Sequence, residues 1–153
     1  MKKSWLLLPL VLAGGTIFAW YTVYTDFNRF YDSEGTLFKI QDCAIPNPVT
    51  TPCFYGAFAF LIAFVWSVII IRKTADSRIK ELKKLLWLLL ASVLFAWGNF
   101  IYSLMRYYQT RDSGQAIGCS GQLVTNPWTT PCFIGAVIFL TALVVAVILY
   151  RRK

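Results

Sequence analysis

Apolar residues run almost unbroken through four stretches of the chain, approximately Trp5–Tyr24, Cys53–Ile71, Leu85–Met105 and Cys132–Tyr150. A bilayer crossing takes about 20 predominantly apolar residues, and each stretch is close to that length. Acidic and basic side chains sit only at their ends. With every backbone polar group needing an internal partner in lipid, such stretches are expected as helices. The pattern predicts an all-α membrane protein of four transmembrane helices. Lys2 and Lys3 ahead of Leu6-Leu7-Leu8 resemble the start of a signal peptide, but the apolar run is too long for that role and no small-x-small site follows it. The first helix is therefore expected to be retained.

The polar stretches between the runs show a repeat. Asn47-Pro48-Val49-Thr50-Thr51-Pro52-Cys53-Phe54-Tyr55-Gly56-Ala57 returns as Asn126-Pro127-Trp128-Thr129-Thr130-Pro131-Cys132-Phe133-Ile134-Gly135-Ala136, with nine of eleven positions identical at an offset of 79. Phe18-Ala19-Trp20 matches Phe95-Ala96-Trp97, and Arg29-Phe30-Tyr31 matches Arg106-Tyr107-Tyr108, both at an offset of 77. The organisation expected is a tandem duplication of a helical hairpin. Residues 1–73 form the first helix-loop-helix repeat, with spans at about 5–24 and 53–71 around a loop at 25–52. Residues 74–84 form a basic connector, and 85–153 the second repeat, with spans at about 85–105 and 132–150 around a loop at 106–131. Two spans per repeat give both copies the same direction through the membrane, hence a pseudo-twofold axis along the membrane normal.

Aligning the halves predicts a shared face. Gly15, Ala19, Thr22 and Asp26 match Ser92, Ala96, Asn99 and Ser103 at steps that put each set on one side of a helix. Gly56, Ala63 and Ser67 match Gly135, Ala142 and Ala146. Small residues let helices approach closely in lipid, so these are read as packing seams, with Thr22 and Asn99 as candidate polar groups of the bundle core or of a small cavity. Arg29 and Arg106, each followed by aromatic residues, suit the membrane boundary as snorkelling anchors. With Tyr31 and Tyr108 they are also candidates for holding an oxygen-bearing ligand. Asp26 and Asp32 are expected as local partners of Arg29.

Charge sets an expected orientation. The chain has 15 basic and 7 acidic residues, a formal charge of +8 and a mean hydropathy of +0.58. Eleven of the basic residues fall at Lys2-Lys3, between Arg72 and Lys84, or at Arg151-Arg152-Lys153. The positive-inside rule then places both termini and the connector in the cytoplasm and both cysteine loops outside. A cluster at each membrane edge is a lipid-surface signature rather than a nucleic-acid footprint, so no nucleic-acid partner is expected.

All four cysteines, Cys43, Cys53, Cys119 and Cys132, fall in or beside the two outward loops. An oxidising compartment is expected to pair them, and the repeat favours Cys43–Cys53 and Cys119–Cys132. Around Cys53 and Cys132 the sequence reads as a helix start: a turn at Asn-Pro, a threonine cap at Thr51 or Thr130, then proline in the first turn. A cysteine in that first turn feels exposed N–H groups, which favour a thiolate. The plan of four helices with outward cysteine pairs is similar to that of the DsbB and vitamin K epoxide reductase families. That resemblance implies electron transfer between thiols and a quinone. Both families use Cys-x-x-Cys, whereas the spacings here are Cys-x9-Cys and Cys-x12-Cys. No functional residue is carried over on layout alone.

The chain has no histidine, which removes the commonest general base and metal ligand, and no phosphate loop or serine-nucleophile motif. No metal or resident cofactor is expected. The leading expectation is a non-catalytic accessory or scaffold protein of a bacterial inner membrane. It would present its loops to a membrane or extracytoplasmic partner, or assemble with copies of itself within the lipid bilayer. The alternatives are a quinone-linked thiol–disulfide oxidoreductase working through the four cysteines, and a small transporter or channel.

Overall fold

The computed structural model describes residues 5–39, 45–110 and 124–151. Four helices carry almost all of it: α1 Leu7–Glu34, α2 Pro52–Arg72, α3 Ala75–Thr110 and α4 Pro131–Arg151. All four are long and apolar enough to cross a membrane. No more than about a third of any span is buried (28–33%), so most of the apolar surface of Leu10, Ile17, Trp87 and Leu94 faces outward. In water that exposure would be ruinous; it suits helices whose solvent is lipid. The chain is an integral membrane protein by this criterion.

Around the bundle the order is α1, α2, α3, α4, with α1 also packed on α4 and with α2 and α4 meeting across the centre. The buried residues of α2 are Ala57, Phe60, Ala63, Ser67 and Ile70; those of α4 are Ala136, Phe139, Ala142, Ala146 and Leu149. Every one of these pairs is 79 positions apart. In α1 and α3, Leu8, Leu12, Gly15 and Val23 are buried as are Leu85, Leu89, Ser92 and Phe100, each 77 positions on. At the centre the Phe60 and Phe139 rings stack with centroids 3.6 Å apart and planes 9° from parallel. Small residues below them let the backbones close up, as packing in lipid requires.

Two helices are longer than the apolar runs predict. The amphipathic stripe of α1 continues past Tyr24 through Asp26 and Phe30, both buried, and ends at Gly35. Gly35 takes the left-handed conformation (φ 69°) and its N–H reaches the Tyr31 carbonyl at 2.8 Å. The basic stretch 74–84 is largely the opening of α3 rather than a separate connector, because Leu82 and Leu85 extend the buried stripe of Leu89. There Arg78 lies over the Trp5 ring at 5.1 Å and donates to the Ile71 and Lys73 carbonyls at 2.9 and 3.0 Å, closing the end of α2. Glu81 accepts from Trp66 Nε1 at 3.1 Å and pairs with Lys73 and Lys84 at 3.5 and 3.2 Å. The α2–α3 turn is thus fixed by charge at the end of the bundle where α1 starts and α4 ends.

Candidate functional site

The opposite end of the bundle holds the site. Each repeated segment folds the same way. Asn47 and Asn126 accept from the N–H of Val49 and Trp128 at 3.0 Å, opening the short 3-10 turns Pro48–Thr50 and Pro127–Thr129. Thr51 and Thr130 then donate to the carbonyls of Pro48 and Pro127 at 2.7 Å. The cap expected of Thr51 does not form, since its hydroxyl is turned back to the preceding turn; Thr130 keeps a weak one, to Phe133 N–H at 3.4 Å. Proline fixes the first helical position of α2 and α4, and the cysteine follows it.

These two helix starts converge. Cys53 Sγ lies 3.6 Å from Cys132 Sγ, a contact distance and longer than the ~2.05 Å of a bonded pair. The predicted partners Cys43 and Cys119 lie outside the described residues, so the pairing of each loop does too. What the structure adds is a juxtaposition between the halves that the loop pairing did not anticipate.

Below the sulfurs is a cavity of about 60 Å³, closed at its floor by Phe60 and Phe139. At ≳10–15 Å³ per water centre it has room for a few water molecules. Its walls are matched pairs from the two halves: Phe18 with Phe95, Ala19 with Ala96, Thr22 with Asn99, Gly56 with Gly135. Thr22 and Asn99 therefore sit on the same cavity. Each donates to its own helix, Thr22 Oγ1 to the Phe18 carbonyl at 3.0 Å and Asn99 Nδ2 to the Phe95 carbonyl at 2.8 Å. A continuous polar channel does not follow from this arrangement, because the stacked Phe60 and Phe139 rings block the axis beneath.

Arg29, Tyr31, Arg106 and Tyr108 are not brought to the cavity. Arg29 Nη2 donates to Asp26 Oδ1 at 3.2 Å, while Tyr31, Arg106 and Tyr108 are exposed on the helix surfaces. Tyr107, beside them, donates to the Thr125 carbonyl at 3.0 Å and ties α3 to the second repeated segment. Asp26 is the residue whose importance the apolar runs hid. With the first span drawn to Tyr24 it looked like a boundary carboxylate, yet it is 2% exposed within α1. Its place one turn beyond Thr22 on the shared face was the available signal.

No known protein family, curated protein or solved structure matches the chain. The fold and the site thus define a class and no more: a four-helix integral membrane protein with two cysteines in contact at a small cavity.

Proposed function

We propose that the protein is a membrane thiol–disulfide exchange protein whose working group is the Cys53–Cys132 pair, built from a duplicated hairpin around a pseudo-twofold axis. The observation that carries this reading is the 3.6 Å contact between matched sulfurs from opposite halves. Disulfides with a purely structural task within each loop have no need to touch across the bundle. Exchange does need it, because a thiolate must reach the sulfur it attacks. In this reading each loop keeps its own pair, Cys43 with Cys53 and Cys119 with Cys132. A partner's dithiol reduces one pair, and the contact passes the electrons to the other. Net oxidation of that partner needs a two-electron acceptor, and a membrane quinone is the chemical class that suits a site among membrane-spanning helices. The positive-inside pattern supports placing the cysteine end outside a bacterial inner membrane, where thiols meet an oxidising compartment.

The chain's own tryptic sites provide the test. Cleavage after Lys39, Arg72, Arg111 and Arg151 puts Cys43 and Cys53 on one peptide and Cys119 and Cys132 on another. In unreduced, alkylation-quenched protein carrying Cys43→Ser and Cys119→Ser, exchange geometry predicts near-complete linkage of these peptides after mild oxidation. Wild-type membranes should show a smaller linked fraction that rises when quinone is depleted. Should the double variant stay unlinked under oxidant, the halves do not meet and the protein is better read as a scaffold with loop-closing disulfides.

A further inference from the structure

The end of the bundle away from the cysteines carries a matched feature of its own. Between α1 and α2 an open groove of about 400 Å³ faces outward, and between α3 and α4 there is a second of about 260 Å³. Their walls correspond position by position: Leu10 with Trp87 and Ala13 with Leu90 at an offset of 77, Phe64 with Leu143 and Ile71 with Tyr150 at an offset of 79. Both grooves lie between helices long and apolar enough to cross a membrane, and Leu10 and Trp87 are 69% and 67% exposed. Each groove carries one cation, Arg72 in the first and Lys83 in the second. These cations are not matched in the repeat, since Leu6 stands where Lys83 does and Arg151 where Arg72 does. An apolar slot with a basic residue at its end thus recurs from different side chains. Neither cation forms an ion pair among the described residues, because Glu81 is taken by Lys73 and Lys84. Across residues 72–84 and Arg151 there are seven basic side chains against Asp76 and Glu81, so anions are drawn to this end.

We propose that each groove holds an acyl chain of one anionic phospholipid, whose phosphate pairs with Arg72 in the first half and with Lys83 in the second. The proposal is independent of the cysteine chemistry. Trp87 and Tyr150 line the second groove together with Lys83. Tryptophan and tyrosine concentrate where hydrocarbon meets water, so the lysine stands at headgroup depth, within reach of phosphate. Basic pockets between membrane helices are where anionic headgroups settle, and the apolar slot below accepts the chain that the headgroup brings. A helix of a second copy fits less well. Copies of one chain insert in the same direction, so the partner would bring its own basic end beside Arg72 or Lys83, and like charges oppose that contact. A lipid anion meets the same cations with the opposite sign. Bound in this way, one lipid would fill the outer seam of each hairpin at the end opposite the sulfur contact.

Native mass spectrometry counts the lipids directly. Full-length protein in mild detergent is titrated with dioleoyl phosphatidylglycerol or, with the same acyl chains, dioleoyl phosphatidylcholine. Two phosphatidylglycerol molecules per chain should bind at least about fivefold more tightly than phosphatidylcholine, the scale set by one cation at the headgroup. Arg72→Ala and Lys83→Ala should each weaken one of the two sites by about fivefold, and the double variant should weaken both. Lys80→Ala removes an exposed cation of the same end that lines neither groove, and should leave both sites intact. Ala13→Trp keeps every charge but fills the first groove, and should cost one bound lipid. Equal affinity for the two lipids would reduce the grooves to ordinary boundary contacts. A loss from Lys80→Ala equal to that from Arg72→Ala would leave only diffuse surface charge. Unchanged binding in Ala13→Trp would show that no acyl chain occupies the groove, and lipid-free dimers would give the groove to a second copy. Any of these four results overturns the proposal.

Discussion

Replacing Gly15 by alanine tests the packing that brings the two halves together. A Cβ built at Gly15 would lie 2.7 Å from Phe60 Cδ1 and 2.9 Å from Ile138 Cγ2, and nearer still to Phe60 Cε1. The Phe60 ring cannot swing aside cheaply, because its other face is stacked on Phe139 at 3.6 Å. Overpacking of a filled core costs about 1–3 kcal/mol. Against this, glycine-to-alanine inside a helix gains up to about 1 kcal/mol of propensity. Gly14 separates the two effects, since a Cβ there meets nothing within 4 Å. Gly14→Ala should therefore be neutral or slightly stabilising. Gly15→Ala should fall below it by about 1–3 kcal/mol, because both variants share the propensity gain and only Gly15→Ala carries the clash. Tryptophan fluorescence during denaturant titration in mixed micelles measures both variants in one experiment. If Gly15→Ala proves as stable as Gly14→Ala, the close approach of α1 to Phe60 and Ile138 is wrong, and so is the floor assigned to the cavity.

Phe139→Ala should cost about 3–5 kcal/mol in the same titration, as it removes the stacked ring and opens a void at the bundle centre. The void should also join the outer cavity to the small-residue seam below, raising labelling of Cys53 by neutral thiol reagents. Asn47→Ala should destabilise by about 1–3 kcal/mol, because Nδ2 donates to the Leu37 and Lys39 carbonyls at 3.2 and 2.8 Å while Oδ1 caps the following turn. Limited proteolysis of the first loop reads that loss directly, with increased cleavage at Lys39. Glu81→Gln should change stability by less than about 1 kcal/mol, because its partners Lys73 and Lys84 are solvent-accessible. What effect it has should shrink further as salt is raised from low to physiological strength.

Most of the architecture is legible from residue pattern because lipid imposes so few solutions. Four apolar runs have to be helices, and the offset between repeated segments already aligns the positions that turn out buried alike. The ends of the helices were less legible. Asp26 and Phe30 in α1, and Leu82 in α3, sit beyond the apolar runs, so hydropathy alone ends each helix early. Only their spacing on the buried stripe extends it. The candidate site was partly legible for the same reason. Thr22 and Asn99 could be assigned to one cavity from the shared face, whereas Arg29 and Arg106 could not be told from ligand-binding groups until Asp26 was seen paired with Arg29 and Arg106 was seen exposed.

The sequence by itself determined the number of helices, the repeated turn-and-helix start, and the small residues that allow close packing. These follow from local rules of hydrogen bonding, backbone conformation and helical period. Only the tertiary structure decided that Cys53 meets Cys132, that Phe60 stacks on Phe139, and that Asp26 is buried and paired with Arg29. Those contacts join residues far apart in the chain. Their distances depend on how two hairpins dock, and docking is set by the summed fit of many side chains rather than by any segment's own preference.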